Sequence, residues 1–183
     1  MPRIIAGSRG SRRITVPRGA ETRPTADRVR EAIFSTFYSL LEMEGAHVMD
    51  LYAGSGAVGL EALSRGAGHA VFVEKSRHAL DVLRGNISEL DFTDSCHVVP
   101  GDVLGWLSSP ADPKDLVFMD PPYAKTPHDE LVLLSENGWL TPHAVVAVEH
   151  SHRSDPIQWP KGLESLKVRR YGNTAVSYAR FGG

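Results

Sequence analysis

The chain has 183 residues, 42% hydrophobic and 23% charged, which suits one globular domain with a sizeable core and excludes extended disorder, collagen and coiled coil. Its single cysteine, Cys96, excludes an intramolecular disulfide, and no membrane-length apolar run or signal-like start is present, so a cytoplasmic, reducing location is expected. Net charge is −2, yet residues 1 to 30 hold eight arginines against Glu21 and Asp27, leaving −8 on the rest; a basic arm on an acidic body points to a polyanion held at one place.

In chain order, the apolar runs Arg3 to Ala6 and Arg13 to Val16 flank Gly7-Ser8-Arg9-Gly10-Ser11. This punctuation predicts an arginine-studded β-hairpin over residues 1–20, a small unit preceding a main domain over 21–183. Thr25 can cap a helix with Asp27 in its first turn. Val29, Ile33, Phe34, Phe37, Leu40 and Leu41 give that helix a core face, and it is expected to end near Gly45. Strands are then expected at His47 to Tyr52, Val71 to Glu74, His97 to Val99, Leu116 to Met119 and Ala144 to Val148. Helices fall between them, from Gly54 to Gly66, Ser76 to about Leu90, Asp102 to Leu107 and His128 to Asn137. Leu166 to Val168 and Ala175 to Phe181 read as a final antiparallel pair. The alternation predicts an open, largely parallel α/β sheet with ligands beyond the carboxyl ends of its strands.

At the first strand-to-helix turn, Gly54, Gly56 and Gly59 match G-x-G-x-x-G, and Glu74 follows twenty residues after Gly54. A nicotinamide dinucleotide fits those letters. Against it stand Asp50, whose carboxylate at the mouth of the turn repels a pyrophosphate, and the lack of room for a substrate domain. A third feature is a motif after strand four that hydride transfer does not need. A nucleoside with a cationic amino-acid tail fits better, which makes S-adenosylmethionine the expected cofactor. Its expected contacts are Asp50, Ala53, Gly54, Ser55 and Gly56, then Glu74 for the ribose hydroxyls with the adjoining Lys75. Asp102 and the N–H of Val103 can read adenine, although an Asp102 that simply caps the next helix accounts for the residue equally well.

Asp120-Pro121-Pro122-Tyr123 ends strand four. Proline holds the preceding residue extended and leaves the Pro121 carbonyl without a helix or ladder to join. Asp120 and Pro121 then offer two fixed acceptors for an aromatic amine, guanine N2 or adenine N6, with Asp120 beside the cofactor and Tyr123 as a stacking face. The base must be single-stranded or flipped.

Asp50 to Gly59, Glu74, Asp102 and Asp120 to Tyr123 together resemble the amino-group class of Rossmann-like methyltransferases. Arg3-Ile4-Ile5-Ala6-Gly7, the run Arg23-Pro24-Thr25-x-Asp27-Arg28-Val29-Arg30-Glu31, and Gly54 through Gly66 are similar to the RsmD family. That resemblance implies a seven-stranded sheet with a reversed last strand and methylation of N2 of one guanine in 16S (small-subunit) ribosomal RNA, within the 30S particle. It places Arg23, Pro24 and Thr25 near the methionine end of the cofactor. It makes Arg3, Arg9, Arg12, Arg13, Arg18, Arg23 and Arg28 the expected RNA contacts. Ser35 stands where the family often has Asn. Two alternatives stay open, an adenine-N6 methyltransferase of RNA or DNA and a non-catalytic RNA-binding assembly factor. No metal is expected, since His150-Ser151-His152, the densest histidine pair, has no spaced third ligand. Trp106, Trp139 and Trp159 are expected in the core or its rim, and the protein is expected to be a monomer with no membrane contact.

Overall fold

Seven strands join in one sheet in a computed structural model that describes residues 2–18, 24–122 and 125–182, with only the backbone of Pro24 and Thr25. Five apolar runs form parallel strands: β1 (His47–Leu51), β2 (His69–Glu74), β3 (Cys96–Pro100), β4 (Lys114–Met119) and β5 (Leu140–Ser151). The chain then adds β6 (Leu163–Tyr171) and β7 (Thr174–Phe181), with β7 antiparallel to both β5 and β6. The spatial order is β3-β2-β1-β4-β5-β7-β6, so the order reverses between β1 and β4, where an open α/β sheet forms its ligand crevice.

Helices cover both faces because the strands are apolar on both. Helices α1 (Pro24–Tyr38), α2 (Ala57–Ser64) and α3 (Arg77–Glu89) close one core around Phe34, Phe37, Leu60, Phe72, Leu83 and Tyr178. The other core, under α4 (Val103–Leu107) and α5 (His128–Glu136), holds Met49, Leu51, Val117, Trp139 and Val146. Trp139 is fully buried there and its Nε1 donates to the Leu107 carbonyl at 2.9 Å. Among the described residues, no helix is long and apolar enough to cross a membrane.

Several boundaries differ from the sequence expectation. Helix α1 begins at Pro24, one residue before the expected Thr25 cap; in the first turn proline has no N–H to leave unpaired. It stops at Tyr38 instead of near Gly45, where Ser39 and Leu40 fold back onto the Thr36 and Phe37 carbonyls at 3.0 and 2.8 Å. Strand β5 starts at Leu140, four residues early, because an irregular stretch containing His143 at φ 68° separates the Lys114↔Leu140 and Leu116↔Val145 pairs. Strand β6 extends to both sides of Leu166 to Val168, since an edge strand needs no apolar run.

The N-terminal segment pairs antiparallel over a single bridge, Arg3 with Arg13, backed by Ile4 N–H to the Arg12 carbonyl and Ser11 N–H to the Ile4 carbonyl, both 2.8 Å. Ile4 and Ile14 lie fully buried in the first core. The buried carboxylate of Glu61 on α2 accepts from Ile5 N–H at 2.8 Å and Ala6 N–H at 3.0 Å, and Arg65 Nε meets it at 2.6 Å. Gly7 has φ 83°, and a Cβ there would stand 1.7 Å from the Ser64 carbonyl oxygen, so only glycine permits this approach. Asn86 on α3 completes the seat: its Oδ1 accepts from Thr15 N–H at 2.8 Å, while its Nδ2 donates to Thr15 O at 2.8 Å and to Ser55 O at 2.9 Å.

Candidate active site

A crevice of about 310 Å³ opens beyond the carboxyl ends of β1, β2, β3 and β4, lined by Tyr52, Val73, Glu74, Lys75, Gly101, Asp102, Val103, Asp120, Pro121 and Pro122. Each lining group arrives from a strand end. Glu74 closes β2 and its two oxygens accept from Gly54 N–H at 2.9 Å and Ser76 N–H at 2.7 Å, which fastens the glycine turn to the next strand. One lone pair on each oxygen is left for a ligand. Asp102 caps α4 through Oδ2, which accepts from Leu104 and Gly105 N–H at 3.1 and 3.3 Å. It also lines the crevice, so the two readings of this residue are compatible. Gly59 is required by packing: a Cβ would lie 2.3 Å from the Phe72 ring, which brings α2 down onto β2.

Asp50 is placed differently from the expectation. It lies inside β1, 3% exposed, not at the mouth of the turn, and its Oδ2 accepts from Gly59 N–H at 2.9 Å. It is not among the crevice residues, and neither are Ala53, Gly54, Ser55 and Gly56, which form the turn behind Glu74. Burial pushes the Asp50 carboxyl up to about 8 against the Gly59 hydrogen bond, with the charges of Asp120 and Glu74 adding to the rise.

The Asp120 carboxylate is accessible but sits in a concave end of the sheet, and lost hydration raises it to about 6. Because Met119 pairs with Val148, the next residues along the register, Asp120 and Glu149, stand side by side. Burial and then the Asp120 charge lift Glu149 to about 8. Register across β4 and β5 is what brings Glu149 to the site. Tyr52 and Glu130 were missed altogether. Tyr52, at φ 62°, donates its hydroxyl to the fully buried Glu130 at 2.5 Å, and Lys125 meets the same carboxylate, tying the chain after the Asp-Pro-Pro run to β1. A lone Glu in the first turn of α5 reads as an ordinary helix-terminus charge, so no sequence signal marks it.

Tyr123 and Arg23 lie outside the described residues, as does the side chain of Thr25. Arg3, Arg12, Arg13, Arg18 and Arg28 are exposed, whereas Arg9 is half-buried. Two of these arginines are already engaged within the chain: Arg9 Nε donates to the Leu90 carbonyl at 2.7 Å with its guanidinium over Phe92, and Arg12 donates to the Glu89 carbonyl. Both neutralise the carbonyl end of α3. His150 and His152 are spent on local hydrogen bonds to Ser177, Ser151 and Asn173, and among the described residues no group of three or more His, Cys, Asp or Glu is placed to hold a metal ion.

A family model described as Conserved hypothetical protein 95 matches residues 2–180. The Ribosomal RNA small subunit methyltransferase D of Escherichia coli is 38% identical over 148 residues, 80% of this chain and 73% of that one. The protein of the same name from Haemophilus influenzae is 33% identical over 180 residues, 96% of this chain and 91% of its own. Among solved structures, Escherichia coli yhhF, described as a candidate methyltransferase, matches with a TM-score of 0.88 at 30% identity, covering 98% and 97% of the two chains.

Proposed function

From the chain's membership of the Conserved hypothetical protein 95 family, which is the RsmD family of the sequence resemblance, we propose that it methylates small-subunit (16S) ribosomal RNA with S-adenosylmethionine. The finer reading takes the exocyclic N2 of a guanine as acceptor, the 30S particle as setting, and a cytoplasmic monomer as the working form. One observation carries the proposal: Glu74 and Asp102 share a single crevice with Asp120 and Pro121, although the two motifs lie far apart in sequence.

The residues fit the cofactor. Glu74 has lone pairs for ribose hydroxyls, and among the described residues Asp102 Oδ1 and the Val103 N–H at the start of α4 have no partner and can meet the adenine. Val73, Val103 and the Tyr52 ring supply apolar flanks for the base. When bound, S-adenosylmethionine supplies an electrophilic methyl on a sulfonium centre. Asp50, buried behind the turn, supports it by holding Gly59 and is not required to touch the ligand.

Asp120 accepts one N–H of the target amine and the Pro121 carbonyl accepts the other; among the described residues no donor occupies that carbonyl. Two fixed acceptors turn the nitrogen lone pair toward the crevice, and Asp120 takes the departing proton. Tyr123 is assigned to stack on the base.

The test is incubation with methyl-labelled S-adenosylmethionine and, in parallel, undermethylated small subunits, their naked RNA and duplex DNA, followed by digestion to nucleosides. Labelled N2-methylguanosine from the RNA is the expected product. Label in N6-methyladenine overturns the acceptor, and cofactor binding without any label returns the chain to a non-catalytic RNA-binding role.

A further inference from the structure

The edge strand β6 has no assigned role. It carries Lys167, Arg169 and Arg170 against Glu164; Arg169 and Arg170 are exposed, as is Val168 to 52%, while Lys167 is half-buried. Among the described residues, none of these three cations makes a salt bridge or a side-chain hydrogen bond, in contrast to Arg9 and Arg12 of the N-terminal arm.

Topology points this strand at the crevice. Strand β7 runs antiparallel to β5 and β6 antiparallel to β7, so the last residues of β6 emerge at the same end of the sheet as Asp120. Continuing the Met119↔Val148 pair by one residue sets Asp120 beside Glu149; Glu149 pairs with Val176, and Val176 pairs with Arg169. Arg169 is thus three strand spacings from Asp120 along one row, about 14 Å. Lys167 pairs with Tyr178 and Arg169 with Val176, so both rise from the face that α1 covers, while Arg170 takes the opposite face. Arg153 joins them at the turn, where His152 N–H donates to the Asn173 carbonyl at 3.0 Å.

We infer that the basic end of β6 is a second contact for the substrate RNA, gripping backbone phosphates of nucleotides that flank the target base. This rests on the ribosomal RNA reading above. Charge complementarity favours RNA over a second copy of the chain. A partner strand would have to align with a row of cations and pass the irregularity at Leu166, features that obstruct strand addition.

The experiment compares the full-length parent with Lys167→Ser/Arg169→Ser/Arg170→Ser and with the charge-retaining Arg169→Lys/Arg170→Lys. Filter binding to small-subunit RNA is run from about 50 to about 200 mM salt. The triple variant is expected to bind about tenfold more weakly at low salt, with a log–log salt slope shallower by about 2. The lysine variant is expected to track the parent, and cofactor affinity and thermal unfolding are expected to stay unchanged in both. A parent that labels the RNA while the triple variant binds with unaltered affinity and slope overturns this inference alone. A parent that sediments as a dimer, broken by the triple substitution, overturns it in favour of a second copy. A parent that neither binds nor labels the RNA overturns the functional reading, and this inference with it.

Discussion

In the proposed reaction Asp120 must be ionised to accept a proton, and its crevice holds its pKa up at about 6, so methyl transfer is expected to fall as pH drops through about 6. Asp120→Asn keeps the size of the side chain but removes the basic oxygen. It is expected to retain cofactor affinity and lose about 10²- to 10⁴-fold in kcat, measured in the labelling assay. Asp50 makes the opposite kind of statement, about stability. Unfolded, it loses its proton above its ordinary value of 3.8; folded, it keeps the proton to about 8. Between those values the folded state binds the extra proton, so rising pH weakens the fold by up to about 1.4 kcal/mol per pH unit. Asn at position 50 still accepts from Gly59, so Asp50→Asn is expected to flatten the decline of Tm between about pH 5 and pH 8. An unchanged decline would place the linked proton on another group, with Glu149 the first to examine.

Helix α3 connects the N-terminal arm to the glycine turn, and Asn86 is the joint. Asn86→Ala removes three hydrogen bonds to partly buried backbone groups of Thr15 and Ser55, so a loss of about 1–3 kcal/mol is expected in denaturant unfolding, together with weaker cofactor binding. Strands buried on both faces, such as β1 and β4, were legible because they read as predominantly apolar runs, and the glycine turn, Glu74 and Asp120 were legible because their chemistry follows directly from strand ends. The full length of β6, the depth of Asp50 and the Tyr52–Glu130 bond were not. A largely exposed edge strand carries no clear hydrophobic period, and a hydrogen bond across 78 residues leaves no local trace.

Across the whole molecule some arginines hold the structure while others stand exposed. Arg9→Ala is expected to lower Tm, since it strips a cation from the end of α3 and from the Phe92 ring. The exposed set Arg3, Arg13 and Arg18 replaced by Ser is expected to leave Tm nearly unchanged while making RNA binding less steeply dependent on salt, checked by the same filter titration. Equal slopes for parent and variant would remove the arm from the binding surface. The seating of Ile4 and Ile14 has a further outcome for inheritance and engineering. An arm whose isoleucines fill the core cannot be cut away or grafted onto another methyltransferase as a cassette: deletion opens a void beside the sheet and strands the Glu61 carboxylate without its amide donors. Any sequence drift in the arm is therefore answerable to the catalytic core before it is answerable to RNA.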